Sequence, residues 1–270
     1  SQRMVGWDLA TTYGIDWTTQ PTLVSQEIDL SNLCDLKCRS CDSYRSTRWT
    51  MDDKKIGRRA HGHLISNWSL DAHTAAATRS LVFLGGEPLL HQDQILHSVQ
   101  MIAEHGEMSA CTFTINTNCM HHIGDRLLSS ILMMKQVNIA CSIDGVGPLN
   151  EYIRSASDWE TVDKNIQAFA GLSCNHRHVS CFIQATMTIY NANSLIEIIR
   201  YADSLPVSIP VEIIFPASPS QLDARILPVD LRLRIGQRYK AAADHYRRRS
   251  FMSNVYHRYA DVLEQAVTHL

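Results

Sequence analysis

Short apolar segments alternate with helix-forming segments along most of the chain, and this alternation limits the possible folds more than any other feature. Such an order predicts a parallel sheet with right-handed crossovers, closed or partly closed into a barrel. Functional groups gather at the carboxyl ends of the strands in such folds, so the segment after each strand is a candidate site. The predicted strands cover residues 24–30, 81–84, 111–117, 137–143, 181–189 and 211–215.

The predicted helices follow most of these strands and have recognisable starts. Ser157 with Glu160, and Ser194 with Glu197, have the spacing of a capping box, in which a hydroxyl and a carboxylate satisfy the first backbone amides of a helix. Residues 42–66 are polar and basic with little periodicity, which indicates a long excursion from the sheet. Further helices are predicted at about 67–79, 229–248 and 252–269.

The length and composition fit one large domain. A chain of 270 residues with 45% hydrophobic content can bury a single large core. We expect an α/β protein with an N-terminal extension (residues 1–22), a barrel (23–216) and a helical C-terminal extension (217–270). The extension is basic, with nine Lys or Arg against four acids from residue 225 onward. Solvated helix faces are the ordinary interpretation of that excess, and binding of a peptide, a nucleotide or an acidic partner is the alternative.

The charges of the whole chain nearly balance, with 25 Lys or Arg against 27 Asp or Glu. No general field attracts nucleic acid, and no nucleic-acid partner is expected. The chain starts without a basic, apolar leader, and no run approaches the roughly 18 apolar residues of a membrane span. We therefore expect a cytoplasmic protein with no membrane partner.

Three of the eight cysteines fall within eight residues, in the sequence CDLKCRSC directly after the first predicted strand. The spacing C-x3-C-x2-C lets one loop supply Cys34, Cys38 and Cys41 to three corners of an iron-sulfur cube and leaves one iron open. Lys37 and Arg39 lie between them, and nearby positive charge favours the thiolate form. The other cysteines are scattered through apolar segments, as packing residues are.

Other interpretations of this loop remain open. A structural zinc site could be completed by Asp42, His61 or His63, although structural zinc usually takes paired C-x2-C knuckles. A non-catalytic iron-sulfur redox sensor is a second alternative.

A glycine-rich segment follows the second predicted strand, in the sequence FLGGEPLL. Gly85 and Gly86 would let the backbone approach a ligand closely, and Glu87 could accept a hydrogen bond from an ammonium group. The simpler interpretation is a turn followed by a helix that begins at Pro88. Likewise, SIDG at residues 142–145 could be only a strand-end turn.

Taken in order, the cysteine motif and the GGEP segment resemble the radical S-adenosylmethionine (radical SAM) enzymes. SIDG, followed by NEYIR at residues 150–154, is similar to the subgroup with SPASM or twitch extensions. The resemblance implies a partial (β/α)6 TIM-like barrel and one 4Fe-4S cluster, held by the three cysteines, whose open iron binds S-adenosylmethionine (AdoMet). Reductive cleavage of AdoMet would then give a 5′-deoxyadenosyl radical that abstracts hydrogen from a substrate.

The resemblance also assigns AdoMet contacts, residue by residue. Alternation along the strand at 181–189 adds one threonine, which should face the barrel interior. The implied cofactor-binding residues are Gly85, Gly86, Glu87, Pro88, Asn118, Ser142, Asp144, Arg154 and Thr186.

The sequence departs from the family pattern at several points. Ser40 stands where an aromatic residue often packs near the adenine, so Tyr44 or the segment 214–216 would have to replace that contact. Cys119 replaces the glycine of a T-N-G strand end. No cysteine follows Cys181, so we predict a single cluster and a twitch-like extension without auxiliary clusters.

The implied substrate is a peptide or protein, since peptide maturation is the commonest activity of this subgroup. A nucleotide, sugar or other small metabolite is the alternative. The chemistry also implies an electron donor such as flavodoxin or ferredoxin.

Overall fold

The computed structural model describes residues 24–64, 69–216 and 219–270. The predicted N-terminal extension, residues 1–22, lies outside the described residues. The strands are β1 (Ser25–Asp29), β2 (Lys37–Cys38), β3 (Ser80–Leu84), β4 (Thr112–Thr117), β5 (Gln136–Ser142), β6 (Arg154–Ser155), β7 (Val179–Thr186) and β8 (Val211–Ile214). The α-helices are α1 (Thr50–Lys55), α2 (Ala72–Ala77), α3 (Gln92–His105), α4 (Asp125–Ile131), α5 (Pro148–Ile153), α6 (Trp159–Asn175), α7 (Leu195–Ser204), α8 (Val229–Arg249) and α9 (Asn254–His269).

Six strands form one parallel sheet in the order β1-β3-β4-β5-β7-β8, with β1 and β8 at its two edges. The order follows the chain, so each long strand is joined to its neighbour by a crossover, and each of the five crossovers contains at least one helix. This is the partial TIM-like barrel with a helical C-terminal region that the sequence predicted. The small β2–β6 pair is antiparallel and lies apart from the sheet.

Alternation along the strands separates a buried apolar face from a more polar one. Phe113, Ile139 and Ile183 are fully buried in the core between the sheet and the helices. Asn116 and Gln184 lie on the opposite face, where their side chains are 3.3 Å apart. The sheet thus has one apolar face in the core and one more polar face.

The helix after β6 begins one residue later than predicted. Asp158, not Ser157, is the N-cap, and its carboxylate accepts a hydrogen bond from the backbone N–H of Thr161 at 3.0 Å. Ser194 does precede α7, but its side chain makes no capping hydrogen bond. The capping boxes were therefore wrong in detail: an aspartate next to the predicted cap competes better for the first amides of α6.

Helices α8 and α9 pack against each other and against the barrel. The hydroxyl of Tyr259, which is fully buried, donates to the carbonyl of Ile209 at 2.7 Å. The extension is thereby attached to the segment that leads into β8. In the described part of the chain, no helix is both long enough and apolar enough to cross a membrane.

Candidate functional site

The cysteine loop leaves the carboxyl end of β1 and is held by a short ribbon. In this ribbon Cys38 pairs with Arg154, and Lys37 pairs with Ser155. The backbone N–H of Arg39 adds a hydrogen bond to the carbonyl of Ile153 at 2.8 Å. The loop is thus tied to the segment after β5, which brings Arg154 beside the cysteines.

Side chains from the residues after the loop fix its shape. The hydroxyl of Ser46 donates to the carbonyl of Leu36 at 2.7 Å, and the indole N–H of Trp49 donates to the carbonyl of Cys38 at 2.9 Å. Between Cys38 and Cys41 the chain makes a turn closed by a 3.1 Å backbone hydrogen bond. These contacts hold the loop folded over the end of the sheet.

All three cysteines of the loop line one cavity of about 330 Å³, which lies at the carboxyl ends of β3, β4, β5 and β7. Glu87, Pro88 and Asp144 do not line it. The predicted cofactor-binding residues that do line it are Gly85, Gly86, Asn118, Ser142, Arg154 and Thr186. Asn116 and Gln184 also line the cavity, and sequence reasoning did not assign them.

The two glycines after β3 are required by the packing of the chain on itself. A Cβ on Gly85, whose φ is +118°, would lie 2.6 Å from the carbonyl oxygen of Ser31. A Cβ on Gly86 would lie 2.2 Å from the carbonyl oxygen of Leu33. The sequence predicted that a ligand would approach these glycines closely. In the structure, the backbone at the start of the cysteine loop occupies part of that space.

Glu87 is buried behind the cavity and is satisfied by the protein. Its carboxylate accepts hydrogen bonds from the backbone N–H groups of Leu89 at 3.0 Å and Asn118 at 2.7 Å, and from the hydroxyl of Thr117 at 2.9 Å. Burial raises the pKa of Glu87 to about 7, although these hydrogen bonds lower it. Glu87 therefore positions the end of β4, and Pro88 starts the short 3-10 turn Pro88–His91.

Arg154 and Asp144 form a buried ion pair next to the cysteines. Arg154 Nε lies 2.8 Å from Asp144 Oδ2, in an orientation outside hydrogen-bond geometry. The other carboxylate oxygen accepts from the backbone N–H of Thr186 at 2.7 Å. Burial lowers the pKa of Arg154, but the neighbouring carboxylate of Asp144 raises it by more, so the guanidinium stays charged. Asp144 thus supports a cation that faces the cavity.

The cation whose charge acts on Cys38 and Cys41 is Arg154, whereas the sequence pointed to Lys37 and Arg39. The ammonium of Lys37 pairs with Asp52 and lies 4.8 Å from the ring centroid of Trp49. The guanidinium of Arg39 lies 3.9 Å from the ring centroid of Tyr152. Both residues flank the buried Cys38 in the chain and lie against aromatic rings, whereas Arg154 reaches the loop through the ribbon.

A polar chain adjoins Cys34. The side-chain amide of Asn118 donates to Asp35 Oδ1 at 2.7 Å, and its nitrogen lies 3.9 Å from the sulfur of Cys34. His121 Nε2 lies 3.1 Å from Asp35 Oδ2. Cys119 adopts a φ of +64°, the left-handed conformation that favours the glycine usual at this position, and its side chain is fully buried. Asp35 and His121 were not assigned from the sequence.

Two of the three thiols are held in the protonated form, so a bound metal group would have to displace their protons. Burial raises the pKa of the Cys34 thiol to about 12. A hydrogen bond between the thiols of Cys38 and Cys41 raises the pKa of Cys38 and lowers that of Cys41. Within the described ranges, no group of three or more His, Cys, Asp or Glu side chains is arranged to hold a single metal ion. Three thiols that line one cavity beside a fixed cation fit an anionic cluster.

The residues that the sequence suggested for adenine contact do not line the cavity at the cysteines. Tyr44 is 49% exposed and does not line the cavity. Ile214 is also exposed, and the ring of Phe215 stacks on His269 with centroids 3.8 Å apart.

The fold of this chain is similar to that of several solved structures. No family model matches the chain, and no curated protein matches it. Among solved structures, that of anSMEcpe with bound AdoMet and Kp18Cys peptide matches at a TM-score of 0.57 and 15% identity, over 84% of this chain and 61% of that one. These solved structures are of radical SAM enzymes. This chain has the radical SAM fold.

Two further structures with the radical SAM fold come from Streptococcus suis SuiB. SuiB bound to S-adenosylmethionine matches at a TM-score of 0.52 and 16% identity, over 90% of this chain and 48% of that one. SuiB bound to the precursor peptide SuiA matches at 0.51 and 15%, over 90% and 49%. The present chain spans about half to three fifths of the length of these structures.

Proposed function

We propose that the chain is a radical SAM enzyme in which Cys34, Cys38 and Cys41 hold one 4Fe-4S cluster and AdoMet occupies the adjoining cavity. The observation that carries the proposal is the convergence of these three thiols with the polar ends of four parallel strands on one cavity. A cluster with three protein ligands keeps one iron free to bind a small molecule. The bound cluster and AdoMet together supply a one-electron cleavage that yields methionine and a carbon radical.

The residues of the chain provide binding, orientation and shielding. Arg154 presents a charged guanidinium suited to a carboxylate or an anionic cluster, and Asp144 holds it there. Asn118, Ser142 and Thr186 add hydrogen-bonding groups at three different strand ends. Glu87, although outside the cavity, fixes the backbone of Asn118.

A peptide or protein is the substrate class that we propose. Its support is that the similar structures include anSMEcpe with the Kp18Cys peptide and SuiB with the precursor peptide SuiA. A nucleotide, sugar or other small metabolite is the second candidate, and a soluble one-electron donor such as flavodoxin or ferredoxin would supply the electron.

The test is AdoMet cleavage by anaerobically reconstituted protein. After reduction with dithionite, we expect 5′-deoxyadenosine and methionine in equal amounts, measured by liquid chromatography and mass spectrometry. Cys41→Ser should abolish both products, whereas Cys174→Ser, at an exposed cysteine outside the loop, should leave them unchanged. An intact, reducible cluster that leaves AdoMet uncleaved would instead support the redox-sensor alternative.

A further inference from the structure

A second, larger depression lies on the other side of the cysteine loop. It measures about 1000 Å³ and extends from Arg39 and Cys41 to Arg58 and Arg59, with Leu222 from the segment after β8 on its wall. Cys41 and Arg45 line both this depression and the smaller cavity. The two spaces therefore meet at the third cysteine of the loop. We call the larger one the arginine groove, after Arg39, Arg45, Arg58 and Arg59.

The arginine groove carries net positive charge in a protein whose total charge is −2. Four arginines line it against two acids, Asp42 and Asp53. Asp53 is buried, and one of its oxygens accepts a hydrogen bond from the backbone N–H of Ser43 at 2.8 Å. The carboxylate of Asp42 accepts from the backbone N–H of Tyr44 at 2.9 Å. The other oxygen of Asp53 has no hydrogen-bond partner among the described residues, and the four arginines still outnumber the two acids.

Arg58 and Arg59 are less engaged by described residues than the other two arginines, although the charge of Arg58 interacts with the nearby carboxylate of Asp53. Arg45 pairs with Asp29 at 3.0 Å, and Arg39 is stacked on Tyr152. The side chains of Arg58 and Arg59 are exposed and make no ion pair or hydrogen bond with any described residue. Their guanidinium groups are therefore available to a ligand, and neither contributes to the packing of the core.

Aromatic groups lie among these cations. The ring of Tyr44 is exposed and meets His61 edge to face, with centroids 5.4 Å apart. Trp49 also lines the groove. Arginine together with tyrosine and tryptophan is the combination enriched at the centres of peptide and protein interfaces. The volume is at the upper end of the range for small-molecule pockets, which favours an extended ligand.

We propose that the arginine groove binds an acidic segment of the peptide substrate and so places neighbouring residues of that peptide at the cavity. This inference rests on the proposed function, because it specifies the charge of the peptide on which the proposed enzyme acts. Charge complementarity carries it: carboxylates of Asp or Glu side chains match the guanidinium groups of Arg58 and Arg59.

The probe is a fluorescein-labelled peptide of twelve residues containing six Glu, compared with the same peptide carrying Gln at those positions. Fluorescence anisotropy with the anaerobically reconstituted protein should give at least tenfold tighter binding of the Glu peptide, with an affinity that falls as salt is raised. Equal affinity for the two peptides would overturn the proposal. Displacement of the Glu peptide by ATP, with an affinity for ATP higher than that for the peptide, would also overturn the proposal. That result would indicate a nucleotide site.

Paired charge reversals locate the binding. Arg58→Glu with Arg59→Glu should weaken binding of the Glu peptide at least tenfold. The matched control is Arg177→Glu with Arg248→Glu, two exposed arginines that lie before β7 and at the end of α8, outside the groove. The control should bind the peptide with unchanged affinity. Equal losses in the two double variants would contradict the assignment to the groove, and circular dichroism checks that both remain folded.

AdoMet cleavage is measured on the same preparations, so the two proposals fail separately. Peptide binding without cleavage of AdoMet would overturn the enzyme function and leave the groove assignment standing. Cleavage of AdoMet together with charge-independent peptide binding would overturn the groove assignment alone.

Discussion

At the scale of single residues, the pair of Arg154 and Asp144 shows how burial and function are joined. The side chain of Asp144 is only 1% exposed and that of Arg154 only 12%. Removing one partner of such a pair leaves an isolated buried charge, which costs about 3–5 kcal/mol, whereas removing both costs much less. The same contact therefore stabilises the fold and keeps a cation at the cysteines.

Arg154→Ala should lower the free energy of unfolding by about 3 kcal/mol. The double variant with Asp144→Ala should lose less than the sum of the two single variants, because no unpaired charge then remains. Urea unfolding of the four proteins in a double-mutant cycle measures the coupling. Additive effects would show that the two groups do not interact.

Glu87 should make stability depend on pH. Its pKa is raised by burial to about 7 from its usual value of 4.5, so the folded protein binds more protons than the unfolded chain between these values. The contribution of Glu87 to stability is therefore present at low pH and is lost as the pH rises from about 4.5 to about 7.

We expect the urea midpoint of the metal-free, reduced protein to fall over this range by more in the wild type than in Glu87→Gln, which cannot ionise. An identical pH dependence in both proteins would contradict the raised pKa.

Sequence reasoning reached part of this site and missed the rest for a physical reason. Thr186 could be placed because strand alternation fixes the face on which a residue lies, whereas Ser142 was assigned from the family resemblance. The cation beside the cysteines, Arg154, could not be placed in this way. The positive charge between the cysteines pointed to Lys37 and Arg39, whereas Arg154 is brought to the loop by a long-range contact in the ribbon. The burial of Glu87 behind the cavity could not be predicted either, because it depends on hydrogen bonds to the end of β4 that no local sequence pattern encodes.

At the scale of elements, the strands of the sheet were predicted to within a few residues because each is a distinct apolar segment. The strands β2 and β6 have two residues each and no periodicity, so nothing in the sequence indicated them. The short helices α1 and α5 were missed for the same reason. The start of α6 was off by one residue because Ser157 and Asp158 are both good caps.

The two adjacent caps can be compared directly. Asp158→Ala removes the acceptor for the backbone N–H of Thr161 and should lower the melting temperature. Ser157→Ala should have a smaller effect, because its hydroxyl makes only a 3.4 Å contact with the amide of Asn150. Melting followed by circular dichroism measures both variants. A larger effect at Ser157 would restore the capping box as first predicted.

At the scale of the whole molecule, several arginines of the basic C-terminal extension form ion pairs that join its two helices to each other and to helix α7 of the barrel. Arg247 pairs with Asp261 at 3.0 Å and with Glu264 at 2.7 Å, which joins α8 to α9. Arg238 lies 3.6 Å from Glu197 of α7. These arginines are therefore paired with acids of neighbouring helices.

Tyr259→Phe should destabilise the protein by about 1 kcal/mol, because it leaves the buried carbonyl of Ile209 without its hydrogen bond. Tyr256→Phe is the matched control: its hydroxyl contacts Arg249 at 3.0 Å but is only partly buried, so the loss should be smaller. Urea unfolding gives both values. Equal losses would mean that the buried contact does not attach the extension to the barrel.

The claim on which the whole account depends is that one loop holds an iron-sulfur cluster. Its most direct test is the content of iron, zinc and acid-labile sulfide in anaerobically prepared protein, for the wild type and for a variant with Cys34, Cys38 and Cys41 all changed to Ser. We predict about four iron and four sulfide per wild-type chain, and neither in the variant. Stoichiometric zinc without iron in the wild type, lost in the variant, would contradict the account.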